Sequence, residues 1–321
     1  MSSYWQGVVG FAIVIVLFAA FVVVLNLLNV ISLTFVLDFW HTGYGPLATS
    51  LVLTAASYLF GFFGAMPLGL IRAYGRGVLR RRKGAPPDVV SFARARDLYG
   101  TAKAVRVVAG HKLRRGLIAP FYGLSTFYVE AVRGTPFLVQ TFLVFYVFLF
   151  AFPQVSFLGA DVYFLSGLAA LTINTLGYQS EVLRAGFQSV GQGQIEAAKA
   201  IGLKGRQVFA YITLPQSLRL IVLPLVNEFI ALFKASTILS YIAIFELFRW
   251  SGDLGQKYGH PIEGFLMISM IYLLINVPLG RAVSFIEQKK RIPGLGTPLR
   301  EARKRDMIRF LPSAARPGSY R

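Results

Sequence analysis

The chain has 321 residues, of which 55% are hydrophobic and 15% charged, and its formal net charge is +19. A soluble domain has about a quarter of its residues charged, and a nucleic-acid-binding protein of this basicity is much less apolar. The composition argues against both classes, so no nucleic-acid partner is expected. The absence of cysteine excludes disulfides, thiolate catalysis and cysteine-ligated metals.

The positive charge is confined to two stretches of the chain. Residues 72–116 hold 13 basic and 2 acidic residues, and residues 281–321 hold 11 basic and 3 acidic residues. The other 235 residues hold 9 basic and 9 acidic side chains, so most of the chain is neutral and apolar. Membrane proteins distribute charge in this way, because Lys and Arg concentrate in cytoplasmic loops.

Six apolar stretches are long enough, or nearly so, to cross a hydrocarbon layer of about 30 Å as helices. They are residues 8–37, 46–71, 137–152, 162–183, 218–243 and 265–279. The first is longer than one span requires, which predicts a tilted or extended helix. The sequence therefore predicts an all-α integral membrane protein with about six transmembrane helices.

The loops between these stretches predict the orientation. Residues 38–45 and 153–161 contain no Lys or Arg, whereas the opposite set comprises an insertion at 76–115, the loop at 184–217 and the tail at 286–321. Basic loops face the cytoplasm, so we expect a multi-pass protein of the cell membrane with both termini cytoplasmic. Anionic lipids are the expected partners of the basic stretches. Within the insertion, residues 104–109 fit a helix or a strand equally well.

Residues 192–216, QGQIEAAKAIGLKGRQVFAYITLPQ, are too polar to cross a bilayer and have a regular pattern. The pattern predicts a helix that ends at Gly202 with positive φ, and then a turn with Val208, Phe209 and Ile212 on one face. Pro215 suits the first turn of the next helix. This predicts a compact helix-turn-helix joined to a membrane span. On spacing alone, a helix lying on lipid headgroups is the alternative.

Several polar residues lie inside the predicted spans. An ionisable group there costs roughly 2.5–3.5 kcal/mol, so Glu228 and Lys234 are candidates for a solute pathway or for a network between helices. Their spacing places them on different faces of one helix. Asn227, Gln140 and Asn174 are further pathway candidates, although such amides also bridge helices. Near the end of the fourth span, Glu181 and Arg184 are expected to pair and to position the following loop.

These motifs resemble a known family. The residues Glu196, Ala197, Ala198, Gly202, Ile212, Leu214 and Pro215 occupy every signature position of the EAA motif in permease subunits of binding-protein-dependent ABC importers. The run Arg133, Gly134, Thr135 and Pro136, the stretch 180–194 and the residues Asn227, Glu228 and Phe229 are similar to its polar amino acid branch. Lys234 is followed by Ala235, where that branch often has an acidic residue, so the identity of the solute is open.

The resemblance implies a five-span permease core at residues 46–285, interrupted by the basic insertion at 76–115. Residues 1–45 are then an extra N-terminal helix and outer loop, and residues 286–321 are a cytoplasmic tail. It also implies that residues 192–216 couple the core to separate ABC ATPase subunits. A second permease copy or homologue and an extracytoplasmic substrate-binding protein complete the implied importer.

The chain itself is expected to be non-catalytic and to need no cofactor. It lacks a G-x-x-x-x-G-K-[ST] loop, so it cannot hold ATP phosphates in that way. The alternative is an ATP-independent secondary carrier, or a membrane scaffold whose basic insertion binds lipid or protein. Secondary carriers generally have two repeated halves, which this sequence lacks, and neither alternative explains the EAA signature.

Overall fold

A computed structural model describes residues 3–79 and 101–289 of the chain. The helices are α1 (Ser3–Leu27), α2 (Leu33–Phe39), α3 (Tyr44–Leu79), α4 (Thr101–Gly134), α5 (Phe137–Ala151), α6 (Val162–Gln188), α7 (Gln192–Ala200), α8 (Gly205–Val208), α9 (Leu214–Ala235), α10 (Leu247–Tyr258) and α11 (Pro261–Lys289). Within these two ranges no β-strand occurs, and the predicted all-α fold is confirmed.

The core forms around α3 and α6, which pack closely because α3 presents small residues to its neighbour. A Cβ atom added at Gly61 would overlap Thr175, and one added at Gly69 would lie 2.8 Å from Leu183. Small residues of this kind let helices in membranes approach each other. Leu183 also packs with the buried Ala65 and Ile221, so α3, α6 and α9 share one apolar cluster.

Among the described residues, the stretches 9–27, 33–75 and 261–282 are long and apolar enough to cross a membrane. The number rises to five if two bent helix pairs, 116–134 with 137–151 and 205–242 with 247–258, each form one span. The predicted span at 162–183 lies in α6, which falls outside this set, and α6 keeps polar residues such as Thr175 and Gln179 buried against other helices. The count of about six spans stays a prediction.

The predicted first helix at 8–37 is wrong in one respect, because it is two helices. The helix α1 ends at Leu27, Asn29 adopts a positive φ of 54°, and the Leu33 N–H donates to Asn26 Oδ1 (3.0 Å). Ser32 then caps α2, whose Phe35 is buried in the core. The surplus length is therefore a second, packed helix, and neither tilt nor extension of the first helix accounts for it.

Two contacts tie the N-terminal helices to α11 in an antiparallel arrangement. The Ser32 N–H donates to Glu263 Oε1 (2.8 Å), and the guanidinium of Arg281 lies against Gly10. The start of α1 and the end of α11 therefore lie on the same side of the molecule.

The insertion is partly described. Residues 101–115 belong to α4, so the stretch 104–109 is helical and the strand alternative is wrong. Expectations for residues 80–100 and for the tail beyond Lys289 lie outside the described residues. At the other end of α4 the chain turns by 113° into α5, at Thr135 and Pro136.

Candidate functional site

The segment 192–216 forms the predicted helix-turn-helix. The helix α7 ends in a Schellman motif, in which the Leu203 N–H donates to Ala198 O (3.1 Å) and the Gly202 N–H donates to Lys199 O (3.0 Å). Gly202 has a φ of +90°, and an added Cβ would meet no atom of the described residues within 4 Å. Glycine is thus required at this position by backbone conformation and not by lack of space.

The segment is attached to the helices of the core by its buried side. Ala198, Val208 and Thr213 are buried, and the Phe209 ring lies 5.9 Å from Phe187 of α6 and 6.2 Å from Tyr74 of α3 between centroids. Among the other signature positions, Ile212 and Leu214 are half-buried, and Pro215 lies in the first turn of α9, as predicted. The segment is therefore packed against the ends of α3 and α6 and continuous with α9.

A π-helical turn, Phe209–Thr213, joins α8 to α9. The Leu214 N–H donates to Phe209 O, so one turn contains an additional residue. Pro215 follows at once and has no N–H to continue a regular ladder. The sequence pattern does not indicate this turn. Such π turns occur often at functional sites.

The exposed side of the segment carries one acidic and two large hydrophobic side chains, beside the basic Lys199, Lys204 and Arg206. Glu196 and Ala197 are exposed, while Ile201 is 79% and Tyr211 is 72% exposed. Ile201 and Tyr211 are not among the residues selected from the sequence. The position of Ile201 directly before Gly202 could have indicated its exposure from the sequence, because the Schellman turn holds this residue at the tip of the loop.

A cluster of charged residues lies where α6 leads into the segment. Glu181 Oε2 accepts hydrogen bonds from Arg72 Nη1 (2.7 Å) and from Arg184 Nε (2.9 Å). The Nη1 atom of Arg133 lies 3.8 Å from Glu181 Oε1. Arg184 also donates to Gln188, whose amide donates to Ala73 O (3.1 Å). The predicted pair of Glu181 and Arg184 is present, and it joins α3, α4 and α6.

The run of Arg133, Gly134, Thr135 and Pro136 makes the sharp turn from α4 to α5. Thr135 Oγ1 donates to Ala131 O (2.8 Å), and Pro136 precedes the first residue of α5. Arg133 is 46% exposed and lies 5.7 Å from the centroid of the Tyr178 ring. The run thus sets the direction of α5, and Arg133 reaches from this turn to α6.

The amides Gln140 and Asn174 are buried and contact each other. Asn174 Nδ2 donates to Gln140 Oε1 (3.0 Å), and Gln140 Nε2 lies 2.7 Å from Val132 O and 2.8 Å from Thr135 Oγ1. These contacts join α5 to α6 and to the end of α4. They favour the helix-bridging alternative, and a role in solute binding stays a prediction.

The three candidates on α9 have different surroundings. Glu228 is half-buried and faces Thr175 of α6, with Tyr58 of α3 and Arg133 within electrostatic reach. Asn227 and Lys234 are exposed in the single chain. The structure thus places Glu228 against α6 and does not bring Lys234 to the same surface, in agreement with their spacing.

Glu246 is a polar core residue that is not among the candidates predicted from the sequence. It is fully buried, and its Oε1 accepts hydrogen bonds from the N–H groups of Phe248 (2.9 Å) and Arg249 (3.0 Å). Ser50 Oγ donates to Glu246 Oε2 (3.3 Å). Glu246 therefore caps α10 and fixes it to α3. The cost of a charge in an apolar run, which selects Glu228, also points to this residue.

A family model described as the binding-protein-dependent transport system inner membrane component matches residues 109–292. The chain belongs to this family. This inner membrane component is 34% identical over 182 residues to the probable glutamine ABC transporter permease protein GlnM of Bacillus subtilis, a match that covers 57% of this chain and 82% of the relative.

Two further matches extend the comparison. Identity to the glutamate/aspartate import permease protein GltJ of Escherichia coli (strain K12) is 34% over 179 residues, covering 54% of this chain and 73% of the relative. A chain in the crystal structure of an amino acid ABC transporter with histidines has a similar fold, with a TM-score of 0.61 and 24% identity. The match covers 81% of this chain and 99% of the solved chain. This chain therefore has the fold of the matched chain in that transporter.

The family match contains the whole segment 192–216 and ends close to the end of α11. It confirms the resemblance drawn from the EAA motif. The inner membrane component is a transport protein of binding-protein-dependent systems, and its membrane-spanning helices agree with a multi-pass protein of the inner membrane.

Proposed function

We propose that this chain is the non-catalytic permease subunit of an ABC importer that translocates a small polar solute, namely an amino acid. The solute class is supported by the names of the relatives, which are permeases for glutamine, glutamate or aspartate, and L-cystine. Separate ABC ATPase subunits hydrolyse ATP, and alternating access moves the solute.

The geometry of residues 192–216 is the observation that carries the mechanism. Ile201 and Glu196 form the exposed contact with an ATPase subunit, and the buried Ala198 and Val208 pass its movement to the core. Phe209 transmits this movement to α6 through Phe187, and the chain continues through the π turn directly into α9. ATP-driven closure of the ATPase subunits then moves α6 and α9 together.

The solute pathway runs along α9. Glu228 is the residue best suited to meet the solute ammonium, because it is half-buried near the polar Thr175. Asn227 and Lys234 are exposed in the single chain and are available to the solute or to a second permease subunit. Gln140 and Asn174 are secondary pathway candidates.

The remaining assignments complete the importer. The partners are a second permease copy or homologue, an extracytoplasmic substrate-binding protein and anionic lipids that contact the basic insertion at 76–115 and the tail at 286–321. Residues 46–285 form the permease core, and residues 1–45 are the addition. Both termini are cytoplasmic, which is supported by the basic residues of the tail at 286–321 and by the antiparallel contacts that place the start of α1 beside the end of α11.

Substitution of Ile201 tests the assignment of the contact surface. The tagged full chain, solubilised in mild detergent, is expected to co-purify with an ATPase subunit, and Ile201→Asp is expected to abolish this while Ile201→Leu retains it. A charge at a buried apolar contact lacks compensation. Retention of the ATPase by Ile201→Asp, with ATP-dependent uptake of labelled amino acids unchanged in proteoliposomes, contradicts the proposal.

A further inference from the structure

The turn between α5 and α6, residues 152–161, has an apolar tip. The Phe157 N–H donates to Ala160 O (3.0 Å) and the Ala160 N–H donates to Phe157 O (2.9 Å), which closes a loop of two residues. The two residues, Leu158 and Gly159, have φ values of 51° and 81°. Positive φ at both positions is typical of a type I′ turn, which normally has Asn or Asp followed by Gly.

Leu158 is therefore an unusual residue at its position. A branched apolar side chain at positive φ is an outlier that local conformational preference disfavours. Among residues 3–79 and 101–289 the side chain gains almost no packing, because it is 91% exposed, and the neighbouring Phe157 is 66% exposed. A contact outside the chain is the remaining physical reason for a large apolar group at this site.

The apolar surface of this turn continues onto α5. Leu143, Val147 and Phe150 follow each other at helical spacing and are 63%, 56% and 80% exposed. No charged residue occurs from 134 to 160, and the carboxylate of Asp161 accepts a hydrogen bond from the Phe164 N–H at the start of α6. Gln154 and Ser156 are the exposed polar residues between α5 and Asp161, and both are uncharged.

The depth of the turn follows from the bond between Asn174 and Gln140. Asn174 comes 12 positions after Val162 and 14 before Gln188, so it lies at the middle of α6. Ala151 comes 11 positions after Gln140, which corresponds to a rise of at most about 17 Å. With the middle of α6 taken as the middle of the hydrocarbon layer, whose half-thickness is about 15 Å, a turn that follows α5 lies near the surface of the hydrocarbon.

We propose that the turn inserts Phe157 and Leu158 into the membrane leaflet on the side opposite residues 192–216. The side is determined by α6, whose far end leads to α7 while its start follows the turn. The lipid chains then cover the apolar tip, and the strained Leu158 aims its side chain into them. This insertion fixes the outer end of α5 and α6 at the membrane surface, and it is independent of the transported solute.

Site-directed spin labelling tests this proposal directly, because the natural chain has no cysteine. Leu158→Cys and, separately, Phe157→Cys are labelled in the full chain, which is placed in nanodiscs of phosphatidylethanolamine and phosphatidylglycerol. Collision rates are measured with oxygen, which concentrates in lipid, and with a water-soluble nickel chelate. Both labels are expected to collide more with oxygen than with nickel, as does a label at Val147 on the exposed side of α5.

Asp253→Cys on α10 is the matched control, because Asp253 is exposed and charged and should collide more with nickel. A label at 158 that behaves like the label at 253 overturns the proposal and indicates a surface for a soluble protein. A label at 158 that neither reagent reaches also overturns it, and indicates a contact with another subunit. Since both variants replace exposed side chains, thermal unfolding is expected to be unchanged, which confirms that they fold.

Discussion

At the scale of single residues, substitution of Gln140 distinguishes a role in the solute pathway from a role as a bridge between helices. Its amide group accepts a hydrogen bond from Asn174 and donates to Val132 O and to Thr135 Oγ1. A buried polar group that loses its partner costs about 1–3 kcal/mol. Gln140→Leu is therefore expected to lower the free energy of unfolding by about this amount, because it leaves Asn174 and Val132 O unpaired.

The measurement is thermal unfolding of the purified subunit together with KM for uptake in proteoliposomes. If Gln140 bridges helices and does not contact the solute, the unfolding temperature falls. KM for uptake then changes by less than about twofold, because the contacts between protein and solute are unaltered. The double variant Gln140→Leu/Asn174→Leu is expected to recover part of the stability, since both partners are removed. A raised KM with unchanged unfolding places Gln140 on the pathway instead.

At the scale of elements, the packing of α6 on α9 depends on Gly186. A Cβ added there would overlap the side chain of Ile221, which is buried on α9. Overpacking of this kind typically costs about 1–3 kcal/mol. Gly186→Ala is therefore expected to lower the unfolding temperature measured by intrinsic fluorescence, while Gly193→Ala on α7, where nothing lies within 4 Å, leaves it unchanged.

Adding Ile221→Ala to Gly186→Ala removes the overlapping atoms and provides the control for packing. We expect the double variant to be more stable than the sum of the two single effects, because the substitutions share one contact. Additive effects would show that the close approach of α6 and α9 is unimportant, and would contradict a mechanism in which the two helices move together.

Local chemistry made some elements predictable from the sequence. The end of α7 at Gly202 and the start of α9 near Pro215 follow from a required positive φ and from a missing N–H. The break between α1 and α2 and the cap of α10 by Glu246 were not predicted. Their hydrogen bonds are local, but both sites are also held by contacts between distant positions, Ser32 with Glu263 and Ser50 with Glu246, which periodicity in one segment does not record.

The same distinction applies to the candidate site. The signature positions were predicted because they occur at a fixed spacing in the sequence. Ile201 and Tyr211 were missed because their exposure depends on how the segment packs. The cluster around Glu181 was predicted only for the pair on one helix turn. Arg72 and Arg133 reach it from α3 and α4, and no helical periodicity indicates contacts between separate helices.

At the scale of the whole molecule, the N-terminal region divides into two parts with different roles. None of the apolar stretch of α1 is buried, whereas Phe35 of α2 packs with Phe233, Trp250 and Met267 in the core. A chain that begins at Leu28 is expected to unfold at nearly the temperature of the full chain. A chain that begins at Trp40 is expected to lose about 3–5 kcal/mol, the typical cost of removing a buried phenylalanine.

Phe35→Ala in the full chain is the matched control, and we expect it to reproduce most of the loss. Thermal unfolding in lipid nanodiscs measures both effects. If the truncation at Leu28 is as harmful as the truncation at Trp40, α1 contributes to the core and the division between the two helices is incorrect.

Residues 192–216 are proposed to couple ATP hydrolysis to transport, and two glycines of this segment offer a sharp test of that coupling. Gly202 and Gly205 are both exposed with no atom within 4 Å of an added Cβ, but only Gly202 has a positive φ. A valine at positive φ costs about 1–3 kcal/mol, so Gly202→Val is expected to reduce ATP-driven uptake roughly tenfold in a complex that still assembles. Gly205→Val is expected to remain close to the natural protein, and equal uptake by the two variants would contradict the account.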